Sequence, residues 1–129
     1  MTDDALIHAF ESGTLPAASF HHADHVRLAF AYLSKYPPLQ ALAKFSTALQ
    51  RYAAARGQLQ RYHETVTYAY FFLIRERLAR APGAEWEDFA RLNPDLLRWD
   101  EGILRRYYCE ATLKSDLARN VFLFPDKCL

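Results

Sequence analysis

The sequence predicts an all-α fold, a single-domain bundle of about five to six helices with a short irregular C-terminal tail. Apolar residues recur at helical spacing along most of the 129 residues, and no alternating run flanked by turn signals indicates paired strands. The length is typical of one domain, and no repeat, low-complexity tract or linker divides the chain. We therefore expect one helical domain over residues 1–129.

Glycine and proline mark the ends of the first four predicted helices. Gly13 ends the first helix, Pro37 and Pro38 prevent continuation of the second, Gly57 ends the third and Gly83 follows the fourth. The helices delimited in this way cover about 3–12, 21 or 22 to 35, 39–56 and 63–80. The fourth is apolar around much of its circumference, so we expect it to lie centrally.

The C-terminal third of the sequence predicts shorter elements. The segment EWEDFARLN is broken by Pro94, a helix is expected over 103–113, and a turn over 115–120 leads into VFLFPD. Large aromatic side chains are typical of cores and helix interfaces. We expect that role for Phe71, Phe72, Trp86 and Trp99.

Charge and hydropathy exclude several functional classes. Sixteen Lys and Arg against fifteen Asp and Glu give a net charge of +1, so no overall field attracts nucleic acid or an anionic membrane. The longest nearly uncharged apolar stretch, VTYAYFFLI, is far shorter than the roughly 20 residues that span a bilayer. We expect neither a nucleic-acid nor a membrane partner.

The cysteines and the N-terminal residues indicate the compartment. Cys109 and Cys128 stand in no CxxC or CxxH spacing, so they are expected to be free thiols and not zinc ligands. The segment MTDDALIHAF is acidic and lacks the basic and apolar regions of a secretory signal. We therefore expect a cytoplasmic protein.

Three histidines and an aspartate cluster in the stretch SFHHADHVRLAF. On a helix, His21 and His25 lie one turn apart at i, i+4, and His22 and His25 at i, i+3, so either pair can converge on one ion. A catalytic zinc or iron site takes three protein ligands and leaves one position open. Two histidines from this helix therefore need a third ligand from another element.

The segment RYHETVTYAY supplies a candidate for that third ligand. It places His63 and Glu64 at the start of the most apolar helix, and two such helix N-termini can face each other across a bundle. A histidine can bind the metal while a carboxylate takes a proton from metal-bound water. This predicts His21, His25 and His63 as ligands of zinc or iron, with Glu64 as base or fourth ligand.

A structural interpretation stands beside the metal site. Histidines near helix N-termini often cap the helix or pack with one ring nitrogen bonded to the backbone, and no HExxH motif is present. This interpretation is favoured for His21 and His22 taken singly. For His25 and His63 the structural and the metal-binding interpretations are equally supported. Each of the latter two adjoins an apolar helix face and an acid, Asp24 or Glu64, that can fix its tautomer.

Further candidates lie outside the histidine segments. Helical geometry places Tyr107 and Tyr108 about 100° apart, so one should pack in the core and the other can line a pocket. Arg119 can bind an acidic substrate group, although an ion pair with Asp126 or Glu64 is the simpler explanation. Arg27, next to the histidines, can likewise bind an acidic substrate group or form a structural ion pair.

The blocks FHHADHVRLAFAYL, RYHETVTYAYFFL, LLRWDEGILRRYYCEATLKSDLAR and VFLFPD resemble a widespread family of small bacterial proteins of unknown function. Its members show F-H-x-x-[DE]-H-[VL]-R, then Y-H-E-T, then Y-Y-x-x-x-x-L-x-S-x-x-A-R and a terminal P-D. The resemblance covers most of the chain from Phe20 to Asp126, and in this pattern His21 takes the first histidine position, with His22 as the alternative. The positions that it marks are Phe20, His21 or His22, His25, Arg27, Tyr62, His63, Glu64, Thr65, Tyr107, Tyr108, Ser115, Arg119 and Asp126. It implies a site and no particular reaction.

Three functional hypotheses follow. In the first, the protein is a metal-dependent enzyme of hydrolytic or oxygenase type, with Glu64 and Tyr108 catalytic and with Arg27, Tyr62 and Arg119 contacting a small substrate. In the second, the same pocket binds or senses a small molecule without turnover and without metal. In the third, the chain is a structural protein, for example a homodimer formed through an apolar face.

Overall fold

Seven α-helices and four 3₁₀ turns account for the regular structure of the described part of the chain. The computed structural model describes residues 1–100 and 102–127, and these ranges contain no strand. The helices are α1 (Asp3–Glu11), α2 (His22–Lys35), α3 (Pro38–Ala55), α4 (Glu64–Arg80), α5 (Trp86–Leu92), α6 (Glu110–Leu113) and α7 (Asp116–Asn120). The 3₁₀ turns are Ala17–Ser19, Leu59–Arg61, Pro94–Leu97 and Ile103–Arg106. The all-α prediction is confirmed, with α1 to α5 as the main helices.

Local signals determine the ends of the first helices, as the sequence predicts. The hydroxyl of Thr2 accepts a hydrogen bond from the backbone N–H of Ala5 and caps α1. Beyond the other end of α1, Gly13 adopts φ 75°, a conformation that favours glycine. After α2, Tyr36 is extended, as expected ahead of consecutive prolines, and Pro38 occupies the first turn of α3.

The core forms where α2 packs against α1, α3 and α4. Phe10 of α1 lies 6.4 Å, between ring centroids, from Phe45 of α3, and Phe45 lies 5.8 Å from Phe71 of α4. All three rings are buried. Truncation of such a buried ring costs about 3–5 kcal/mol, so this aromatic chain is a main source of stability.

The prediction of core or helix-interface packing is correct for Phe71, whereas Phe72 and Trp99 are not core residues, although Trp99 contacts His22 and Tyr70 at a helix interface. Phe72 is 42% exposed because it lies about 100° around α4 from Phe71, on the outer face of the helix. Trp99 is 60% exposed and lies in the turn region after Pro94–Leu97. Trp86 is half-buried and packs edge-on against Phe30 at 5.4 Å.

The predicted helix over 103–113 is wrong, and so is the predicted turn over 115–120. A 3₁₀ turn ends at Arg106, the chain is extended at Cys109, and α6 and α7 follow as separate short helices. The break is stabilised from a distance, because the carboxylate of Asp126 accepts hydrogen bonds from the backbone N–H of Cys109 and the hydroxyl of Thr112. This carboxylate therefore bonds to two residues at the start of α6, where a negative charge complements the helix dipole.

The C-terminal tail is irregular, as predicted, and lies against the start of α4. Leu123 in the tail donates its backbone N–H to the hydroxyl of Thr65 at 3.1 Å. Cys109 is an exposed free thiol, as predicted, whereas Cys128 lies outside the described residues. None of the helices in the described ranges combines the length and apolar character needed to cross a bilayer.

Candidate functional site

The start of α2 carries the three clustered histidines, and its first turn is closed by Asp24. The backbone N–H of His21 donates to the Asp24 carboxylate at 2.8 Å, so this acid caps the helix and complements its dipole. The His21 residue itself is exposed. His21 therefore faces solvent, and Asp24 has a role at the helix terminus.

His22, not His21, lies at the junction with the rest of the fold. Its Nε2 atom is 2.9 Å from the carbonyl oxygen of Leu96, so Nε2 carries the proton and Nδ1 is left as an acceptor. The ring meets Tyr70 edge-on at 4.8 Å and Trp99 at 5.2 Å. Burial lowers the pKa of His22, and the hydrogen bond to Leu96 opposes that shift.

His25 lies one turn further along α2 and stacks on Phe20. The two ring centroids are 4.0 Å apart and the planes are 18° from parallel. Across the described part of the chain, the imidazole of His25 has no hydrogen-bond partner. Burial lowers its pKa to about 4, with a further lowering by His22 and a smaller opposing effect of Asp24. At neutral pH the ring is therefore uncharged.

Tyr70 is a functional candidate that the sequence analysis missed. Its ring is buried between helices, in contact with His22. The hydroxyl is also buried and lacks a hydrogen-bond partner within the described residues. Burial raises the pKa of Tyr70 to about 12, so the group is a neutral phenol. The only signal in the sequence is a phenol at a position that would otherwise suit Leu or Phe.

His63 uses both ring nitrogens to hold the fold together. Nδ1 accepts a hydrogen bond from the backbone N–H of Val66 at 3.1 Å and thereby caps α4. With that tautomer, Nε2 carries the proton and donates to the carbonyl oxygen of Leu113 at 2.7 Å. Neither nitrogen has a lone pair left for a metal ion in this arrangement.

Glu64 and Tyr62 form a separate pair beside the His63 cap. The Tyr62 hydroxyl donates to the Glu64 carboxylate at 2.6 Å, and both residues are half-buried. Burial, followed by this bond, raises the pKa of Tyr62, so the phenol stays neutral. Glu64 therefore does not orient His63, whose tautomer is fixed by backbone groups.

The predicted C-terminal site residues contact the backbone of the fold. The Tyr108 hydroxyl is directed inward and donates to the carbonyl oxygen of Leu123 at 2.7 Å, while Tyr107 is 40% exposed. Arg119 donates to the carbonyl oxygen of Gln60. Among the described residues Arg119 forms no ion pair with Asp126 or Glu64, whose carboxylates bond to Cys109 and Tyr62 instead.

Arg27 contacts the N-terminal residue. Its Nη2 atom donates to the carbonyl oxygen of Met1, and its Nε atom is buried without a partner among the described residues. The guanidinium therefore ties α2 to the chain segment ahead of α1.

The predicted metal triad is not assembled. Over residues 1–100 and 102–127, no group of three or more His, Cys, Asp or Glu side chains could hold a metal ion. His21 is exposed at the helix terminus, His25 stacks on Phe20, and both nitrogens of His63 are occupied. Instead, His22 contacts Tyr70 and lies near enough to His25 to lower its pKa, and we call these three residues the α2–α4 polar cluster.

Comparisons with protein-family models, curated proteins and solved structures find no match to this chain. The α2–α4 polar cluster is therefore interpreted from its own chemistry.

Proposed function

We propose that the protein is a small-molecule-binding module without a metal, and that the α2–α4 polar cluster binds an uncharged polar group of the ligand. The observation that carries the proposal is the Tyr70 hydroxyl, which is buried without a partner. A buried hydroxyl left in this state costs about 1–3 kcal/mol. A ligand oxygen or nitrogen in contact with it would remove that cost.

The neighbouring histidines provide complementary groups. His25 has both ring nitrogens free of protein partners and is neutral at pH 7, so it offers one donor and one acceptor. His22 offers Nδ1 as an acceptor, because Nε2–H is committed to Leu96. Together with the Tyr70 phenol, these groups suit a carbonyl, hydroxyl or amide better than a charged group.

The surrounding rings favour a flat apolar body for the ligand. Phe20 lies on one side of His25, and Trp99 lies outside His22 and Tyr70. Trp99 is 60% exposed, so the cluster lies next to solvent on this side. Aromatic walls with a few polar groups are typical of sites for small organic molecules.

The engagement of His63 favours binding over metal-dependent catalysis. A metal centre on His21, His25 and His63 would require His63 to give up the cap of α4 and the bond to Leu113. Elemental analysis of protein purified without a metal-affinity column tests this point. We expect no stoichiometric zinc or iron, whereas near-stoichiometric metal lost in both His25→Ala and His63→Ala would favour the enzyme instead.

Binding itself is tested with a panel of uncharged aromatic probes that carry a carbonyl, amide or hydroxyl, such as nicotinamide, uracil and phenol. We expect saturable shifts in the side-chain ¹⁵N resonances of His25 for at least one probe. Tyr70→Phe should weaken that probe about tenfold, the effect of one lost hydrogen bond in a buried site.

The matched control is Tyr107→Phe, which removes an exposed phenol outside the cluster. Equal affinities of wild type, Tyr70→Phe and Tyr107→Phe for every probe would contradict the proposed site. So would the absence of any response from wild type.

A further inference from the structure

A groove of about 520 Å³ lies between the C-terminal halves of α2 and α4, bordered by the turn that leads into α5. Its floor includes Phe30 and Leu33 of α2 and Leu78 of α4. Leu33 is eleven residues along α2 from His22, which corresponds to about 16 Å of helix rise. The groove is therefore separate from the α2–α4 polar cluster.

The floor of the groove is apolar and firmly packed. Phe30 is buried beneath it and contacts Trp86 at 5.4 Å and Phe89 at 5.1 Å between ring centroids. Leu33 and Leu78 are half-buried and pack against the same core. A volume of this size falls within the range of about 300–1,000 Å³ that is usual for small-molecule sites.

The rim carries both signs of charge. Arg75, Asp3 and Glu85 border the groove, and among the described residues none of the three forms a hydrogen bond or ion pair through its side chain. Nearby arginines do have carboxylate partners, since Arg77 contacts Asp95 at 2.9 Å. The rim charges thus remain available to a ligand.

We propose that this groove binds an apolar α-amino acid in its zwitterionic form. The apolar side chain would cover Phe30 and its neighbours on the floor, the carboxylate would face Arg75, and the ammonium group would face the two acids. Apolar burial provides the attraction, and the charged rim provides the orientation.

Charge complementarity selects the zwitterion over simpler ligands. An anion of the same shape would be attracted by Arg75 but repelled by the carboxylates of Asp3 and Glu85. An amine would be attracted by the two acids but repelled by Arg75. A molecule that carries both charges matches both signs of the rim.

The test is isothermal titration of the full chain with L-leucine and L-phenylalanine. Isocaproate lacks the ammonium group and isopentylamine lacks the carboxylate, so these two analogues isolate the two charges. We expect the amino acids to bind in the millimolar range and each analogue to bind about fivefold more weakly, as expected for one solvent-exposed ion pair.

Two kinds of variant test whether the amino acid binds in this groove. Arg75→Gln should weaken L-leucine about fivefold without weakening isopentylamine, and Arg51→Gln, which changes an exposed arginine on α3, should have no effect. Ala79→Trp fills the groove from the exposed face of α4 and should abolish binding, whereas Ala54→Trp on α3 should not.

Several results would overturn the proposal. They are no binding by wild type, equal binding of the amino acids and both analogues, or binding that survives Ala79→Trp. Because Tyr70→Phe lies outside the groove, its effect on the uncharged probes is independent of this outcome.

Discussion

The Nε2 atom of His63 lies 2.7 Å from the carbonyl oxygen of Leu113, and the Nδ1 atom of the same ring lies 3.1 Å from the backbone nitrogen of Val66. One imidazole therefore caps α4 and joins it to the end of α6. Thr65, two residues later, bonds in the same way to the C-terminal tail. The Y-H-E-T block thus serves as an attachment point for the C-terminal third of the fold.

Replacement of His63 by alanine should lower the free energy of unfolding by about 2 kcal/mol, because it removes one helix cap and one hydrogen bond of about 1 kcal/mol each. Urea denaturation measures the change. His63→Asn can keep the cap and should recover about half of the loss. The control is His8→Ala, an exposed position on α1. A His63→Ala loss no larger than that of His8→Ala would show that the ring contacts are not stabilising.

Thr65→Val should also destabilise the protein by about 2 kcal/mol. Thr65 is fully buried, and its hydroxyl donates to the carbonyl of Val121 and accepts from the N–H of Leu123, so valine leaves two backbone groups without their partner. Hydrogen exchange should accelerate at Leu123. Thr47→Val, at an exposed position on α3, provides the comparison. Unchanged exchange at Leu123 in the Thr65 variant would count against this attachment.

Tyr70→Phe should stabilise the ligand-free protein by about 1 kcal/mol, since it removes a buried hydroxyl that has no partner. Tyr32→Phe should have the opposite effect, because the Tyr32 hydroxyl donates to the Glu11 carboxylate at 2.7 Å. Thermal and urea unfolding of both variants measure these changes in stability. A loss of stability in Tyr70→Phe would indicate that the hydroxyl already has a bound partner.

Stability should fall on mild acidification because of His25. Its folded pKa of about 4 lies below the unfolded value of about 6.5, so the unfolded chain binds more protons between these two values. The contribution is complete above about pH 6.5 and is lost as the pH falls toward 4, by up to about 3 kcal/mol. His22 is shifted in the same direction, and Asp24 opposes the shift at His25.

Urea unfolding at several pH values between about 7 and 5 measures this dependence. His25→Gln should flatten the curve, and His8→Gln controls for the loss of one histidine. An identical pH dependence in wild type and His25→Gln would refute the assignment to His25.

The fold was predictable where the signals are local. Gly13, Gly57 and the Pro37–Pro38 pair act on their own neighbours, so the ends of α1 to α3 follow from the sequence to within about one residue. The break between the 103–106 turn and α6 was not predictable in this way. It depends on Asp126, whose carboxylate reaches back to Cys109 from the tail.

The candidate site was predictable only in part, for the same reason. That a histidine can cap a helix start is a local inference, and it holds for His63. Which of His21 and His22 points inward depends on Leu96, a contact across 74 positions. The isolation of the Tyr70 hydroxyl is equally a product of tertiary packing, since nothing near Tyr70 in the sequence indicates it.

The attachment of the C-terminal third to α4 bears on how the chain folds as it is synthesised. The partners of His63 and Thr65 lie 50 to 58 positions later in the chain. At roughly 5–20 residues per second, translation leaves the start of α4 without them for several seconds. During that interval α1 to α3 can already assemble, whereas α4 has an incomplete N-terminus and an uncovered face. The slow, non-local step of folding is therefore expected to be the docking of residues 113–123 onto α4.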